Sequence, residues 1–192
     1  MWKYNGRIIR EGRAWTDDSG VQHPSSWSRW TSEEKISRGL VWSDPVPVPD
    51  GRFYWVTSNG DGTYTSTERA LEDVNEVDED GDPIIDTRTG VQMVTLGLKS
   101  TWINQIKETQ GSLLANTDWA YVRKTDTGEA VPSSIQTYRD EVRAAANTIE
   151  TSISSCTTLD DFKALFETPV DGDGNPTGNA PIYNWPNWST EL

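Results

Sequence analysis

The feature that most constrains this chain is a row of apolar side chains at three- and four-residue steps: Ile135, Tyr138, Val142, Ala145 or Ala146, Ile149 and Ile153. Only an α-helix, at about 3.6 residues per turn, places those positions on one face. The face is a narrow seam of the kind that pairs with a second helix. Pro132 with Ser133 or Ser134 marks its start. Upstream, Leu98, Trp102, Ile106, Leu113 and Leu114 fall near one face at the same spacing and supply a partner helix. Downstream, Thr158-Leu159-Asp160-Asp161 opens a third short helix with Leu159, Phe162, Leu165 and Phe166 inward. Thr168-Pro169 ends it, because the residue before a proline is pushed out of the helical region. Residues 98–192 are therefore expected to form a helical domain, with a Pro- and Trp-bearing tail from Pro169.

The front of the chain has a different texture. Trp2-Lys3-Tyr4 and Arg7-Ile8-Ile9-Arg10 flank Asn5-Gly6, the strongest two-residue hairpin signal, since both positions tolerate positive φ. Trp15 precedes a turn at Asp17-Asp18-Ser19-Gly20. Thr31-Ser32-Glu33-Glu34 is a capping box, and the short helix it opens stops at Gly39, with Ile36 and Leu40 expected against Trp rings. Pro45, Pro47 and Pro49 exclude helix or central strand and make an extended connector. Arg52–Thr57 is the best strand of this half, turned by Asn59-Gly60-Asp61-Gly62 into Thr63-Tyr64-Thr65. Residues 1–66 read as a small Trp-rich β/loop domain.

Between the two lies the charge. From Glu68 to Asp86 there are nine acids and one base, Arg69. Residues 67–97 are expected to be a hairpin-like acidic linker rather than part of an ordered core, and the chain shows no internal repeat. The fold class expected is α+β.

Net charge is −13, with no cluster of Lys and Arg. Nucleic-acid binding needs such a cluster to displace phosphate counterions, and an anionic membrane surface needs one too, so neither partner is expected. No run approaches the roughly 18 apolar residues of a membrane span, and the start has no apolar signal-peptide core, so a soluble protein of the cytoplasm is expected. Mean hydropathy of −0.68 argues against one large core. The ten Trp residues compensate, since each can bury on the order of 200 Å².

Catalytic chemistry has little to work with. There is one His, His23, and one Cys, Cys156, far apart in sequence and without a nucleophile elbow. A zinc site needs several such ligands. Asp171, Asp173 and Asn175 imitate the first three ligand positions of an EF-hand, but Pro176 stands where that loop needs Gly and Ile182 where it needs Glu. Asp78, Asp80 and Asp82 fail in the same way at Pro83. No Gly-rich nucleotide loop is present. Paired carboxylates are unavoidable among thirty acids and carry no information. No catalytic residue, metal or cofactor is expected. What remains is aromatic and Arg-bearing surface, the composition of binding hot spots.

Leu113-Leu114-Ala115-Asn116-Thr117-Asp118-Trp119, then Tyr138-Arg139-Asp140-Glu141-Val142-Arg143, then Asn184-Trp185-Pro186 follow in an order that resembles the carboxy-terminal module of bacteriophage tail and tail-fibre assembly proteins. That module pairs a Leu-Leu-x-x-Thr-Asp-Trp segment with a Tyr-Arg-x-x-Val/Leu-Arg helix and a terminal Trp-Pro. The chain departs from it by an insertion, Asp171 to Asn179, and by its front half. A Trp-rich front half is similar to that of uncharacterised virion-associated proteins of marine tailed phages. The resemblance implies a non-enzymatic protein that binds a tail or fibre polypeptide in the host cytoplasm during assembly and can stay on the virion tail. The alternatives are a permanent virion component, such as a small fibre, baseplate or decoration subunit, or more weakly a glycan binder using Trp27 and Trp30. Candidate protein-binding residues are Trp119, Arg123, Tyr138, Arg139, Arg143 and Trp185; Trp15, Trp27 and Trp30 are candidate docking aromatics. Periodicity offers a second role for some of them: Leu113, Leu114, Trp119 and Tyr138 as the core of a helical hairpin, with Arg139 and Arg143 on its rim. Homo-oligomerisation stays open.

Overall fold

The computed structural model describes residues 1–188. The fold is α+β: small antiparallel sheets and a helical carboxy-terminal region. The chain divides into two compact units, Met1–Glu68 and Arg69–Leu192.

In the first unit, strands β1 (Trp2–Tyr4) and β2 (Arg7–Ile8) form the expected hairpin around Asn5 and Gly6, with Asn5 at φ 46°. Strand β3 (Trp15–Thr16) pairs with β4 (Gln22–His23), and β5 (Leu40–Trp42) returns alongside β1. Helix α1 (Ser32–Ser37) opens on a complete capping box between Thr31 and Glu34. Strands β6 (Tyr54–Ser58) and β7 (Tyr64–Glu68) form a separate hairpin. The core is Trp2, Ile9, Trp15, Trp27 and Leu40, with Tyr4 and Trp30 packed against it. Leu40 is buried as expected, but Ile36 points to solvent. Lys35 takes the inward position instead: its stem is buried, its ammonium lies 5.2 Å from the Trp2 ring, and it donates to the Ser28 carbonyl at 3.0 Å. A lysine can do this because its apolar stem packs while its head finds an acceptor.

The second unit is built on α2 (Leu98–Ala115) against α4 (Ser133–Ser155), with α3 (Asp118–Thr127) between them in sequence and α5 (Leu159–Ala164) after them. The seam is as expected: Ile135, Tyr138, Val142, Ala146, Ile149 and Ile153 are all buried. A capping box between Thr158 and Asp161 opens α5. The tail docks through Ile182, which is buried and donates its N–H to the Leu165 carbonyl. Tyr183 stays exposed.

The acidic segment departs from the expected linker. Strands β8 (Val74–Asn75) and β9 (Val94–Thr95) pair, and bridges at Val77–Pro83 and Ile85–Gln92 extend the ladder into a two-tier hairpin. It is fixed to the start of α2. The Leu98 and Lys99 N–H groups donate to the Ala70 and Leu71 carbonyls, Gly97 N–H and Ser100 Oγ donate to the Asp73 carboxylate, and Lys99 pairs with Glu72. The first N–H groups of a helix need acceptors and its dipole favours anions there, so these acids serve the helix rather than separate two domains. The boundary falls before this segment, at Glu68–Arg69.

A short repeat also emerges. Residues 17–21, 78–82 and 171–175 form the same five-residue loop: the first Asp closes the hairpin through its N–H to the fifth carbonyl, and its Oδ1 accepts from the third and fifth N–H groups. The fourth residue is glycine at positive φ each time. Two copies extend to Val-Asp-x-Asp-Gly-Asp/Asn-Pro with the same Val–Pro bridge.

Candidate functional site

Two of the segments that carry the family resemblance meet at one half-buried arginine, Arg139. Helix α2 stops at Ala115 because Thr117 interrupts it: the threonine is fully buried and its hydroxyl donates to the Leu114 carbonyl at 2.8 Å. Arg139, nearly two turns into α4, donates to that carbonyl at 2.8 Å, to Thr117 Oγ1 at 2.7 Å and to the Asp118 carboxylate at 2.7 Å. Its guanidinium also lies 4.8 Å from the Tyr121 ring. One cation thus satisfies a helix C-terminus, a buried hydroxyl and the first acid of the next helix. The side chain is only 11% exposed, so Arg139 is a structural clamp and not the rim residue that periodicity suggested.

Because of that break, Trp119 sits on α3 and is 46% exposed, where the helical-hairpin reading placed it in the core. Tyr138 on α4 is buried, and burial pushes its phenol pKa up. The Trp188 ring meets Tyr138 edge to face at 4.7 Å. Between them opens a groove of about 600 Å³ lined by Leu113, Asn116, Trp119, Tyr138, Pro186 and Trp188, with Asn187. A second depression of about 350 Å³ continues from Tyr138 and Trp188 to Thr137 and Glu141. Aromatic walls and amide groups characterise the groove, and Glu141 adds an acid to the neighbouring depression.

No protein-family model, curated protein or solved structure matches the chain.

The other candidates lie elsewhere. Arg123 is exposed and paired with Glu129, and Arg143 is exposed and paired with Asp140. Trp185 is half-buried and does not line the groove; Trp188, three residues on, holds that place. In the first unit Trp15 and Trp27 are core residues and not a docking face: Trp27 is fully buried and its indole donates to the Arg13 carbonyl. Trp30 is covered on one face by Arg38 at 4.2 Å and meets His23 edge-on. Two aromatics on that unit that the sequence did not single out, Trp42 and Trp55, are 52% and 60% exposed.

His23 and Cys156 are both engaged in structure. His23 stacks on Trp15 at 4.1 Å and pairs with Asp17 at 3.0 Å. The Cys156 thiol is buried, its pKa is raised by burial, and it donates to the Ser152 carbonyl. A thiol pushed toward its neutral form is a poor nucleophile. In the acidic loops the first Asp is occupied by backbone N–H groups. Among the described residues no group of three or more His, Cys, Asp or Glu is placed to hold a metal ion. No described helix is long and apolar enough to cross a membrane.

Proposed function

We propose that this chain is a non-enzymatic tail-fibre assembly protein of a tailed bacteriophage, and that it binds a tail or fibre polypeptide in the groove of its second unit. The observation that carries this reading is convergence. Leu113, Asn116, Trp119, Tyr138 and Pro186 come from three separated segments that together resemble the tail-assembly module, and all line one groove. Trp119, half-exposed, and the Tyr138 ring beside it, next to amide groups, are of the residue types through which interfaces gain most of their affinity. Arg139 braces the groove from behind, which gives the Tyr-Arg pair of the module two distinct jobs: a wall and a clamp.

The test is co-expression with the tail and fibre polypeptides of the same phage genome. A fibre that becomes soluble and trimeric only in the presence of this chain supports the reading. A fibre that folds equally well without it, and does not co-purify with it, contradicts it.

A second reading is a permanent virion component. Val41, Trp42, Val46, Val48 and Trp55 leave large apolar surface exposed on the first unit, more than isolated surface residues require. Particle proteomics decides between the two: a multicopy band in purified virions favours the permanent component, and its absence favours the transient assembly role.

A further inference from the structure

Against the expectation that this acidic chain holds no cluster of Lys and Arg, one small region is basic. Residues 1–16 hold four bases, Lys3, Arg7, Arg10 and Arg13, against a single acid, Glu11. Three of those bases line one depression of about 390 Å³, formed by residues 7–10 and 13–16, and Glu11 is not among its lining residues.

The segment is held firmly at several points. Ile9 is buried and its N–H donates to the Trp2 carbonyl at 3.0 Å. A turn closes from the Arg13 N–H to the Arg10 carbonyl at 3.3 Å. The Arg13 carbonyl is in turn held by the fully buried Trp27 indole at 2.9 Å. Trp15, 7% exposed, forms the far wall. Arg7 is fixed across the hollow by a bond to the Thr16 carbonyl at 3.0 Å.

The chemistry of that lining is one-sided. The side chains of Arg10 and Arg13 have no hydrogen-bond or ion-pair partner among the described residues, and Arg7 is bonded only to a neutral carbonyl. The buried indole N–H of Trp15 also has no acceptor. An arrangement of donors with three uncompensated positive charges selects an acceptor-rich anion. A single carboxylate brings one charge and two oxygens. A phosphate dianion brings two charges and enough oxygens for bidentate contact with two guanidinium groups.

We propose that the hollow between Arg7, Arg10 and Arg13 is a binding site for a phosphate group, as free phosphate or as a phosphomonoester. The site is separate from the groove of the second unit and does not depend on what that groove binds.

Calorimetry on the full chain at constant ionic strength tests this, with inorganic phosphate, glycerol 3-phosphate and an Asp/Glu-rich peptide as probes. Saturable one-to-one binding of inorganic phosphate is expected. Binding of glycerol 3-phosphate at least as tight identifies a phosphomonoester as the source; loss of binding with the ester identifies free phosphate. Arg10→Gln with Arg13→Gln should weaken phosphate binding by about tenfold or more, the equivalent of one charge-assisted contact. Both side chains are exposed, so the unliganded melting temperature should not move. Lysine at both positions should restore part of the affinity. No saturable phosphate binding by the wild type, or equal binding by the Gln pair, overturns the proposal. Tighter binding of the acidic peptide than of phosphate also overturns it, in favour of a polypeptide anion.

Discussion

The two units solve the same problem with different materials. Met1–Glu68 has strands of two to five residues, one short α-helix and one 3-10 helix (Ser25–Arg29), so it cannot assemble an aliphatic seam. It surrounds fully buried Trp27 with Trp2, Trp15, Ile9 and Leu40, and satisfies the indole with a carbonyl. Arg69–Leu192 has two long helices and packs Ile, Val, Ala and Tyr at helical spacing. Charge divides as sharply. The first unit carries eight bases and nine acids, the second nine bases and twenty-one acids. Large rings let a short, loop-rich segment fold because each buries as much area as two aliphatic side chains. The consequence is that exposed and buried Trp cannot be told apart by residue type in the first unit, whereas helical phase separates them in the second.

The comparison breaks most readily at the centre of each core. Trp27→Ala should destabilise the first unit by ~3–5 kcal/mol and leave the second unit's transition in place. Differential scanning calorimetry with near-ultraviolet circular dichroism reads both; loss of a single shared transition would mean that the units do not fold separately. Arg139→Ala leaves the Leu114 carbonyl and buried Thr117 hydroxyl without their cation, and should cost ~2–3 kcal/mol in the second unit alone. Arg139→Lys should recover much of this, because all three contacts converge on the single nitrogen Nη1 and one ammonium carries three donors. Urea unfolding monitored by helix content measures both.

The junction between the acidic hairpin and α2 gives a smaller effect. A Cβ on Gly97 would lie 2.4 Å from the backbone of Leu71 and Glu72. Gly97→Ala should therefore destabilise the second unit by ~1–3 kcal/mol through displacement of the Leu71–Glu72 backbone. Amide exchange at Leu98 and Lys99 should accelerate with it. If exchange there is unchanged, the hairpin is a tether and not part of the unit.

The smallest effect is in acid. Asp17 in the first unit is held below its ordinary value of 3.8 chiefly by the Val21 N–H, and Asp171 in the second chiefly by the Asn175 N–H. A lowered folded-state pKa contributes stability that is present above the unfolded value and lost as pH falls through the folded one. Asp17→Asn should thus flatten the acid limb of the first unit's stability below about pH 4, and Asp171→Asn that of the second. An acid limb in each unit that is indifferent to its own substitution would show that other carboxylates set it.

Much of the helical unit was legible from spacing alone. The six seam positions of α4 follow the 3.6-residue period without exception, and both capping boxes stand at the ends where Ser/Thr and an acid three residues on placed them. A helix end within Leu113–Trp119 was legible, but the separate helix α3 after the break at Asn116–Thr117 was not, because that break is held by Arg139, twenty-two residues beyond the threonine. That single long-range contact turned Trp119 from a core residue into a groove wall. The ordering of the acidic segment was hidden for a similar reason. Its charge density reads as repulsion until Glu72 and Asp73 are seen against the α2 N-terminus. The recurring Asp-x-x-Gly-x loop was present in the sequence and was masked by its shortness. In the first unit, Lys35 and Ile36 exchange the roles that hydropathy assigns them, because the ring-lined pocket accepts a long stem with a carbonyl at its end.

On the proposed function, the groove between Trp119, Tyr138 and Trp188 is a docking site and not merely the outside of a core. The most direct measurement is the affinity of the Trp119→Ser, Trp188→Ser double variant for the tail or fibre polypeptide that co-purifies with the wild type. Retained helix content and melting temperature, with binding weaker by ~2 kcal/mol or more, is the result predicted for two exposed hot-spot aromatics. Unchanged binding by a folded double variant would contradict the claim and move the interface away from the residues that resemble the tail-assembly module.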